Sequence, residues 1–345
     1  MNIMPGEVPA AKLGKGMNTV MVDSPTLPEN RSTVLHLKVI GKKPASSSVT
    51  VLDLARTDGG DLPVWEPGAH IDVLLPGSLV RHYSLCGEPR DRTRYRIGVL
   101  LDPNSRGGSK AIHETVALGD VLEIREPRNN FALQPSPRYH FIAGGIGITP
   151  LLPMIRHAQK NGADWHLTYL GRSLTTMAFL DEVKDFGDRA TILPEDEVGM
   201  QDITAIIGSP AEEQLVYACG PGGLLNAIES HMSSWPAGSL KLERFVPKDV
   251  AIPASGDQPF KVDLTVSKIQ LTVPADKSIL DVVEAAGVTA PYSCREGTCG
   301  TCETRITAGR ADHRDSLLSK EEQEANEYVM ICVSRAAGTT LGIEL

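Results

Sequence analysis

The sequence predicts a multidomain protein in which a small antiparallel β-barrel, an α/β unit on a parallel sheet and a small α+β unit follow one another. Three observations predict it. From about residue 32 to 126, short alternating runs are separated by turn residues. From about 138 the rhythm changes to strand, glycine-rich turn and helix. Finally, beyond a proline-bearing break, three of the six cysteines fall within nine positions, in SCREGTCGTCE at 293–303. A chain of 345 residues also exceeds what one hydrophobic core usually organises.

Composition narrows the classes. With 41% hydrophobic and 22% charged residues the chain reads as globular. A formal charge of -9 argues against a nucleic-acid partner, which demands a basic surface. No stretch has the apolar length of a membrane span, and the opening MNIMPGEVPAAKLGKG lacks the apolar core of a signal peptide. A cytoplasmic location without membrane contact is therefore expected. Cysteines bunched near one end do not form a secreted disulfide framework and point to metal or redox chemistry.

Taken in order, residues 1–30 are rich in Pro, Gly and Ser and are expected to form a flexible arm, with Met17 as a candidate later start. The barrel is expected over 31–131, from the runs VLHLKVI, VTVLDLA, HIDVLLP, VRHYSLC, YRIGVLL and VLEIREP. The parallel-sheet unit is expected over 132–246. It comprises YHFIAGG with TPLLPMIRHAQK, WHLTYLGR with MAFLDEV, and QLVYACG with GGLLNAIESHM. Residues 247–258 read as a linker. In 259–345 the runs FKVDLTVS and IQLTVPAD predict a hairpin and SILDVVEAAG a short helix, ahead of the cysteines.

The cysteine spacing is Cys294-x4-Cys299-x2-Cys302, with Cys332 further on. It matches the plant-type [2Fe-2S] pattern, in which four thiolates hold two irons. Soft sulfur suits iron–sulfur cores, and Gly297 and Gly300 let backbone N–H groups approach. Structural zinc favours paired C-x2-C knuckles, and only one short pair exists here. Cys86, standing alone, reads as a small buried hydrophobe.

The turn AGGIGITP at 143–150 joins a strand to a helix that Thr149 is expected to cap and Pro150 to open. Glycines there would let a pyrophosphate approach the backbone at a helix N-terminus, although a tight turn also needs glycine for steric reasons alone. GRS at 171–173 falls where a ribose would rest, and CGPGG at 219–223 again joins strand to helix. On the barrel, RHYS at 81–84 and RGGSKAIHE at 106–114 offer a cation, a flat ring and free N–H groups for a phosphorylated flavin, while a strand tyrosine is ordinarily core.

With these residues in hand, the chain resembles the phthalate dioxygenase reductase family within the ferredoxin-NADP reductase superfamily. The resemblance covers about 32–345 and is most specific in SCREGTCGTCET, DHRD at 312–315 and CVSRA at 332–336. It implies a flavin barrel, a nicotinamide domain and a plant-type ferredoxin (β-grasp) domain in that order. The R-x-Y-S motif implies Arg81 near a flavin phosphate, Tyr83 stacking and Ser84 at the reactive edge, with His82 and Val99 beside the flavin. Arg106, Gly107, Gly108 and Ser109 match the phosphate loop. Gly144, Gly145, Gly147, Thr149 and Pro150 match the nucleotide turn, and Arg172 and Ser173 take the ribose position. Cys219, Gly220 and Pro221 match C-G-P beside the nicotinamide, which makes Cys219, with Ser84, a catalytic candidate. Cys294, Cys299, Cys302 and Cys332 would ligate the cluster.

The resemblance further implies FMN, a [2Fe-2S] cluster and NADH. Arg172 departs from an NADH pattern, because an arginine there can accommodate a 2'-phosphate, so NADPH stays open. A flavin is needed because nicotinamide releases hydride whereas a cluster takes single electrons. No Rieske or two-His-one-carboxylate pattern is present. The acceptor implied is a separate Rieske non-haem iron oxygenase or demethylase acting on an aromatic or similar small compound. A cytochrome P450 or quinone acceptor, or a non-catalytic electron carrier, remain alternatives. The acidic run EEQEANE at 321–327 reads as a solvated helix face rather than a docking device.

Overall fold

The computed structural model describes residues 33–77, 79–103, 105, 107–248 and 256–345. The predicted arm 1–30, Arg106 and the middle of the predicted linker lie outside the described residues.

All six predicted barrel strands are present. They are β1 (Val34–Pro44), β2 (Val49–Arg56), β3 (His70–Leu75), β4 (Leu79–Ser84), β5 (Tyr95–Leu100) and β6 (Val121–Arg128). They pair antiparallel in the order β4-β3-β6-β1-β2-β5, and a bridge between Leu85 and Ile97 draws the two edges together. Alternation along β1 sends Leu35, Leu37 and Val39 inward to meet Leu52, Ile71, Tyr95 and Ile97. A short helix, α1 (Gly108–Glu114), buries Ile112 on the barrel. The Lys42 ammonium holds its last turn by donating to the carbonyls of Ile112, His113 and Val116 at 3.0, 2.9 and 2.6 Å.

The second unit is a parallel sheet in the order β11-β10-β7-β8-β9. Its elements are β7 (Arg138–Gly144), α2 (Ile148–Lys160), β8 (Asp164–Gly171), α3 (Leu180–Lys184), β9 (Ala190–Pro194), α4 (Glu195–Val198), α5 (Ile203–Ile207), β10 (Gln214–Cys219), α6 (Gly222–His231) and β11 (Leu240–Glu243). Alternate residues of the central strands serve opposite cores. Phe141, Tyr169 and Tyr217 pack with α2, while Ile142, Val216 and Ala218 pack with α6. Two expectations are corrected here. The helix in MAFLDEV begins only at Leu180, because Met177 and Ala178 are spent in the core and Phe179 turns left-handed at φ 59°. Thr149 does not cap α2. The turn at Gly145–Gly147 runs straight into the helix, so Gly147 takes the cap position and the Thr149 hydroxyl donates backwards to the Ile146 carbonyl at 2.9 Å.

The third unit is a mixed sheet in the order β13-β12-β18-β14-β16. The predicted hairpin is β12 (Phe260–Leu264) with β13 (Ile269–Val273), and the predicted helix is α7 (Ile279–Ala285), started by a reciprocal Ser278–Asp281 cap. Beyond the cysteines lie β14 (Glu303–Ala308), β15 (Ala311–Asp312), α8 (Lys320–Ala325), β16 (Tyr328–Met330), β17 (Arg335–Ala336) and β18 (Thr340–Ile343). β18 runs parallel to β12 in the middle of the sheet, the β-grasp arrangement, around Val262, Leu280, Val329 and Leu341. α8, carrying the acidic run, buries none of its residues. Both described ends of the linker are tied to this unit: the Lys248 N–H donates to Ser316 Oγ at 2.7 Å, and Arg314 grips Asp257 at 2.9 and 2.6 Å. No helix among the described residues is long and apolar enough to cross a membrane.

Candidate electron-transfer site

The cysteine loop is wound around its own sulfurs. Gly297 and Gly300 both sit at φ 71°, and neither has room for a side chain: a Cβ on Gly297 would meet Val333 at 2.6 Å, and one on Gly300 would meet Asn130 at 2.9 Å. Arg295 also turns left-handed at φ 57°, and the backbone N–H groups on either side of it point inward, from Cys294 to Cys299 Sγ at 3.5 Å and from Glu296 to Cys294 Sγ at 3.3 Å, while the Thr301 hydroxyl lies 3.2 Å from Cys299 Sγ. Cys299, Cys302 and Cys332 are buried and Cys294 is half-buried. The Cys294 thiol hydrogen-bonds with Cys299 and Cys332, which lowers its pKa, and Cys302 is lowered by Cys332. Cys299 and Cys332 are raised by the same contacts. Among the described residues, no three His, Cys, Asp or Glu side chains are placed to hold one metal ion. Hydrogen bonds instead link Cys299 with Cys294, Cys294 with Cys332 and Cys332 with Cys302, so the four thiols form one cluster, and their spacing in the chain is that of a plant-type [2Fe-2S] site.

Beside this loop opens a cavity of about 740 Å³, the size range of cofactor sites. Its wall includes Arg81, Tyr83 and Ser84 of β4, Ser109 of α1, Glu243 of β11, and Cys294 and Cys299. His82, His70 and the strap Arg244–Lys248 also line it. Arg81 crosses Gly108 so closely that a Cβ there would lie 2.6 Å from the Arg81 side chain. Gly107, at φ 99°, turns the chain into α1, and Ser109 Oγ accepts from the Asp102 N–H at 3.2 Å. The Tyr83 hydroxyl is raised by burial. Val99 stands elsewhere: its side chain belongs to the barrel core and its carbonyl accepts from His113 Nε2 at 2.8 Å.

The predicted nucleotide residues do not line this cavity. Gly144, Gly145, Gly147, Thr149 and Pro150 leave the end of β7, and Cys219, Gly220 and Pro221 leave the end of neighbouring β10. Their helices cover opposite faces, so the two turns meet at the switch point of the sheet, where open α/β sheets bind ligands. A Cβ on Gly147 would fall 2.1 Å from the Cys219 carbonyl oxygen. Arg172 is exposed at the end of β8, and its carbonyl accepts from the Asp196 N–H at 3.0 Å, which sets α4 with Glu195, Asp196 and Glu197 beside it. Ser173 Oγ is 2.9 Å from Thr175 Oγ1.

Two acidic residues escaped the sequence reading, one in the cavity wall and one buried behind it. Glu243 is the register partner of Cys219, and Ser84 Oγ donates to its Oε2 at 3.5 Å. Protein crowds its carboxyl although the residue keeps some contact with solvent along the cavity, and burial pushes it up to about 8. The Cys219 thiol is raised well above its usual value by burial and by Glu243. Asp72 of β3 is fully buried among His82, Arg125, Arg128 and Ser293. Burial alone would raise its carboxyl, but His82, Arg128 and the Ser293 hydroxyl outweigh that and hold it below its usual value. The available signal was, for Asp72, a single acid inside the apolar run HIDVLL; Glu243, in the charge-bearing stretch LKLERF, carried none.

Side chains that touch both a sulfur-lined loop and a cofactor-sized cavity belong to an oxidoreductase assembled from modules, in which neighbouring centres exchange electrons. Comparison with known proteins makes the class particular. Residues 262–337 match the family described as 2Fe-2S iron-sulfur cluster binding domain. The vanillate O-demethylase oxidoreductase of Pseudomonas sp. (strain HR199 / DSM 7063) is 39% identical over 309 residues, 87% of this chain and 96% of that protein. A solved phthalate dioxygenase reductase, described as a modular structure for electron transfer from pyridine nucleotides to [2Fe-2S], superposes with a TM-score of 0.66. It is 35% identical over 90% of this chain and 98% of that one. An intact type IV self-sufficient cytochrome P450 monooxygenase matches with a TM-score of 0.84 and 40% identity over 90% of this chain, which spans 41% of that longer protein. The chain belongs to the phthalate dioxygenase reductase family.

Proposed function

We propose that this chain carries electrons from NADH through FMN and a [2Fe-2S] cluster to a separate Rieske non-haem iron oxygenase or demethylase, whose substrate is an aromatic or similar small compound. The observation that carries the reading is the shared wall, in which Arg81, Tyr83 and Ser84 line the same cavity as Cys294 and Cys299. The proposed modules are a flavin barrel over 31–131, a nicotinamide domain over 132–246, a linker over 247–258 and a ferredoxin domain over 259–345. The work belongs in the cytoplasm, where reducing conditions keep the thiolates available.

Arg81 supplies charge for the flavin phosphate, with the N–H groups of Gly108 and Ser109, while the Gly107 N–H donates to Ser105 Oγ at 3.2 Å and shapes the loop; Arg106 lies outside the described residues. Tyr83 offers its ring face, and its unionised hydroxyl keeps that face neutral. The nucleotide lies across the turns of Gly144–Gly147 and Cys219–Pro221, with Arg172 and Ser173 at the ribose. The acidic run Glu195–Glu197 beside Arg172 disfavours an added 2'-phosphate, which supports NADH over NADPH. When bound, the flavin supplies conversion between hydride and single-electron chemistry. Around it Ser84 Oγ donates to the Glu243 carboxyl, whose pKa burial raises, and the two make a hydrogen-bonded pair at the cavity edge. The Cys219 thiol, kept protonated by burial, packs the nicotinamide position without acting as a nucleophile. Cys294, Cys299, Cys302 and Cys332 hold the cluster, and inward N–H groups stabilise charge on their sulfurs.

A cytochrome P450 acceptor is a second reading, supported by the likeness to the reductase part of a self-sufficient P450. Anaerobic extraction tests the proposal: FMN, iron and acid-labile sulfide should be recovered, and NADH should bleach flavin and cluster absorbance in succession. Zinc at the cysteines, or a cluster that ignores NADH, would refute it. Turnover with purified Rieske and P450 acceptors separates the two readings.

A further inference from the structure

The barrel and the cysteine loop meet through a buried polar junction that neither the cavity nor the cluster cage requires. At its centre is Asp72, with no exposed surface. One carboxylate oxygen faces the Arg128 guanidinium at 2.5 Å and His82 Nε2 at 3.3 Å, and the other accepts from Ser293 Oγ at 2.8 Å and from Arg125 at 3.4 Å. Ser293 immediately precedes Cys294. Arg128 reaches on to the Thr301 hydroxyl, which also touches Cys299 Sγ. Asn130, just beyond β6, donates to the Cys299 carbonyl at 2.7 Å and fills the space that a side chain on Gly300 would need. Strands β3, β4 and β6 therefore hold the loop on both sides of Cys299.

A buried carboxylate among cations is a poor source of stability, because desolvation offsets the attraction, whereas such groups can fix one geometry over others. The junction lies where geometry matters: β4 carries Asp72's partner His82 and, next to it, the cavity residues Arg81, Tyr83 and Ser84. We propose that Asp72 is a positioning residue that locks the cysteine loop onto the barrel face and so fixes the separation between flavin and cluster. This rests on the proposed function. With the cofactors bound, NADH would give up a hydride and become NAD+, and its two electrons would reach the cluster one at a time by way of the flavin, each reducing one Fe(III) that the acceptor reoxidises, with one net proton passing to solvent. The junction bears only on the single-electron passes.

The holoprotein tests this with Asp72→Asn, which keeps the shape and removes the charge, and with Ser293→Ala, which removes one hydroxyl. Stopped-flow mixing with NADH should leave flavin bleaching within about twofold of the parent, while the following cluster reduction slows about tenfold or more, as expected where placement limits a rate. Hydrogen exchange at the backbone amides of 293–301 should rise in both variants at unchanged iron content, a readout independent of turnover. Asp72→Glu should recover part of both. Cluster reduction within twofold of the parent in both variants, with exchange unchanged, would overturn the proposal. Should Asp72→Asn fail to fold, Ser293→Ala alone decides. A parent whose flavin is reduced but whose cluster never is would remove the underlying reading, an outcome distinct from variants that equal a competent parent.

Discussion

Glu243 stands between Cys219, its partner on β10, and Ser84 across the cavity edge. Burial raises its carboxyl to about 8, so the folded chain holds this proton far more tightly than the unfolded chain, where a glutamate titrates near about 4.3. The sign follows: the contribution to stability is full below about 4.3 and is lost as pH rises toward 8. Glu243→Gln should flatten that slope in denaturant unfolding measured across the window, and an unaltered slope would place the titration elsewhere. Cys299 gives a second prediction at this scale. Cys299→Ser should lose the cluster, by iron analysis, while NADH still bleaches the flavin, because Cys219 and Ser84 stand on other elements. Joint loss of both signals would mean that the units are not separable.

At the scale of elements, two glycines predict contrasting failures. Gly147 lies where the turn after β7 crosses the end of β10, and an added Cβ would strike backbone atoms of Cys219 and Gly220 at 2.1 to 2.7 Å. Backbone cannot give way, so Gly147→Ala should cost about 2 kcal/mol or more in unfolding free energy and weaken nicotinamide affinity together. Gly108 is crowded only by the Arg81 side chain. Gly108→Ala should displace that guanidinium and lower flavin affinity, measured by fluorescence on dilution, with little loss of thermal stability. Strands and turns of this kind were largely legible because period-two alternation and glycine placement are local signals, as in β1 and in the two turns at the switch point. β9 and β11 were not. As half-buried edge strands of five and four residues, they carry too few apolar positions to announce a period. Thr149 has the residue type of a cap but not its place, because the turn before it also satisfies helical geometry, a matter of backbone angle rather than residue type.

For the molecule as a whole, four separate cores predict separable behaviour. The cluster core around Val262, Leu280 and Leu341 shares no buried apolar residue with the barrel core or with the two faces of the parallel sheet. Removing iron should therefore lower only one calorimetric transition and leave NADH-dependent flavin bleaching in place; a collapse of the whole unfolding profile would contradict this. The four cysteines that the fold brings together were legible from spacing alone, since cysteine chemistry is written in residue type. The junction around Asp72 was not, because its members are spread from 72 to 301 and only folding brings them together.

The cavity wall has a consequence for biosynthesis. Its residues come from the stretch His70 to Ser109, from Glu243 to Lys248, from the loop beginning at Cys294, and from Arg314 and Val333. On a ribosome, the first contributors emerge long before the last. The complete pocket cannot exist until most of the polypeptide has been translated, so a flavin captured earlier would be held by the barrel side alone.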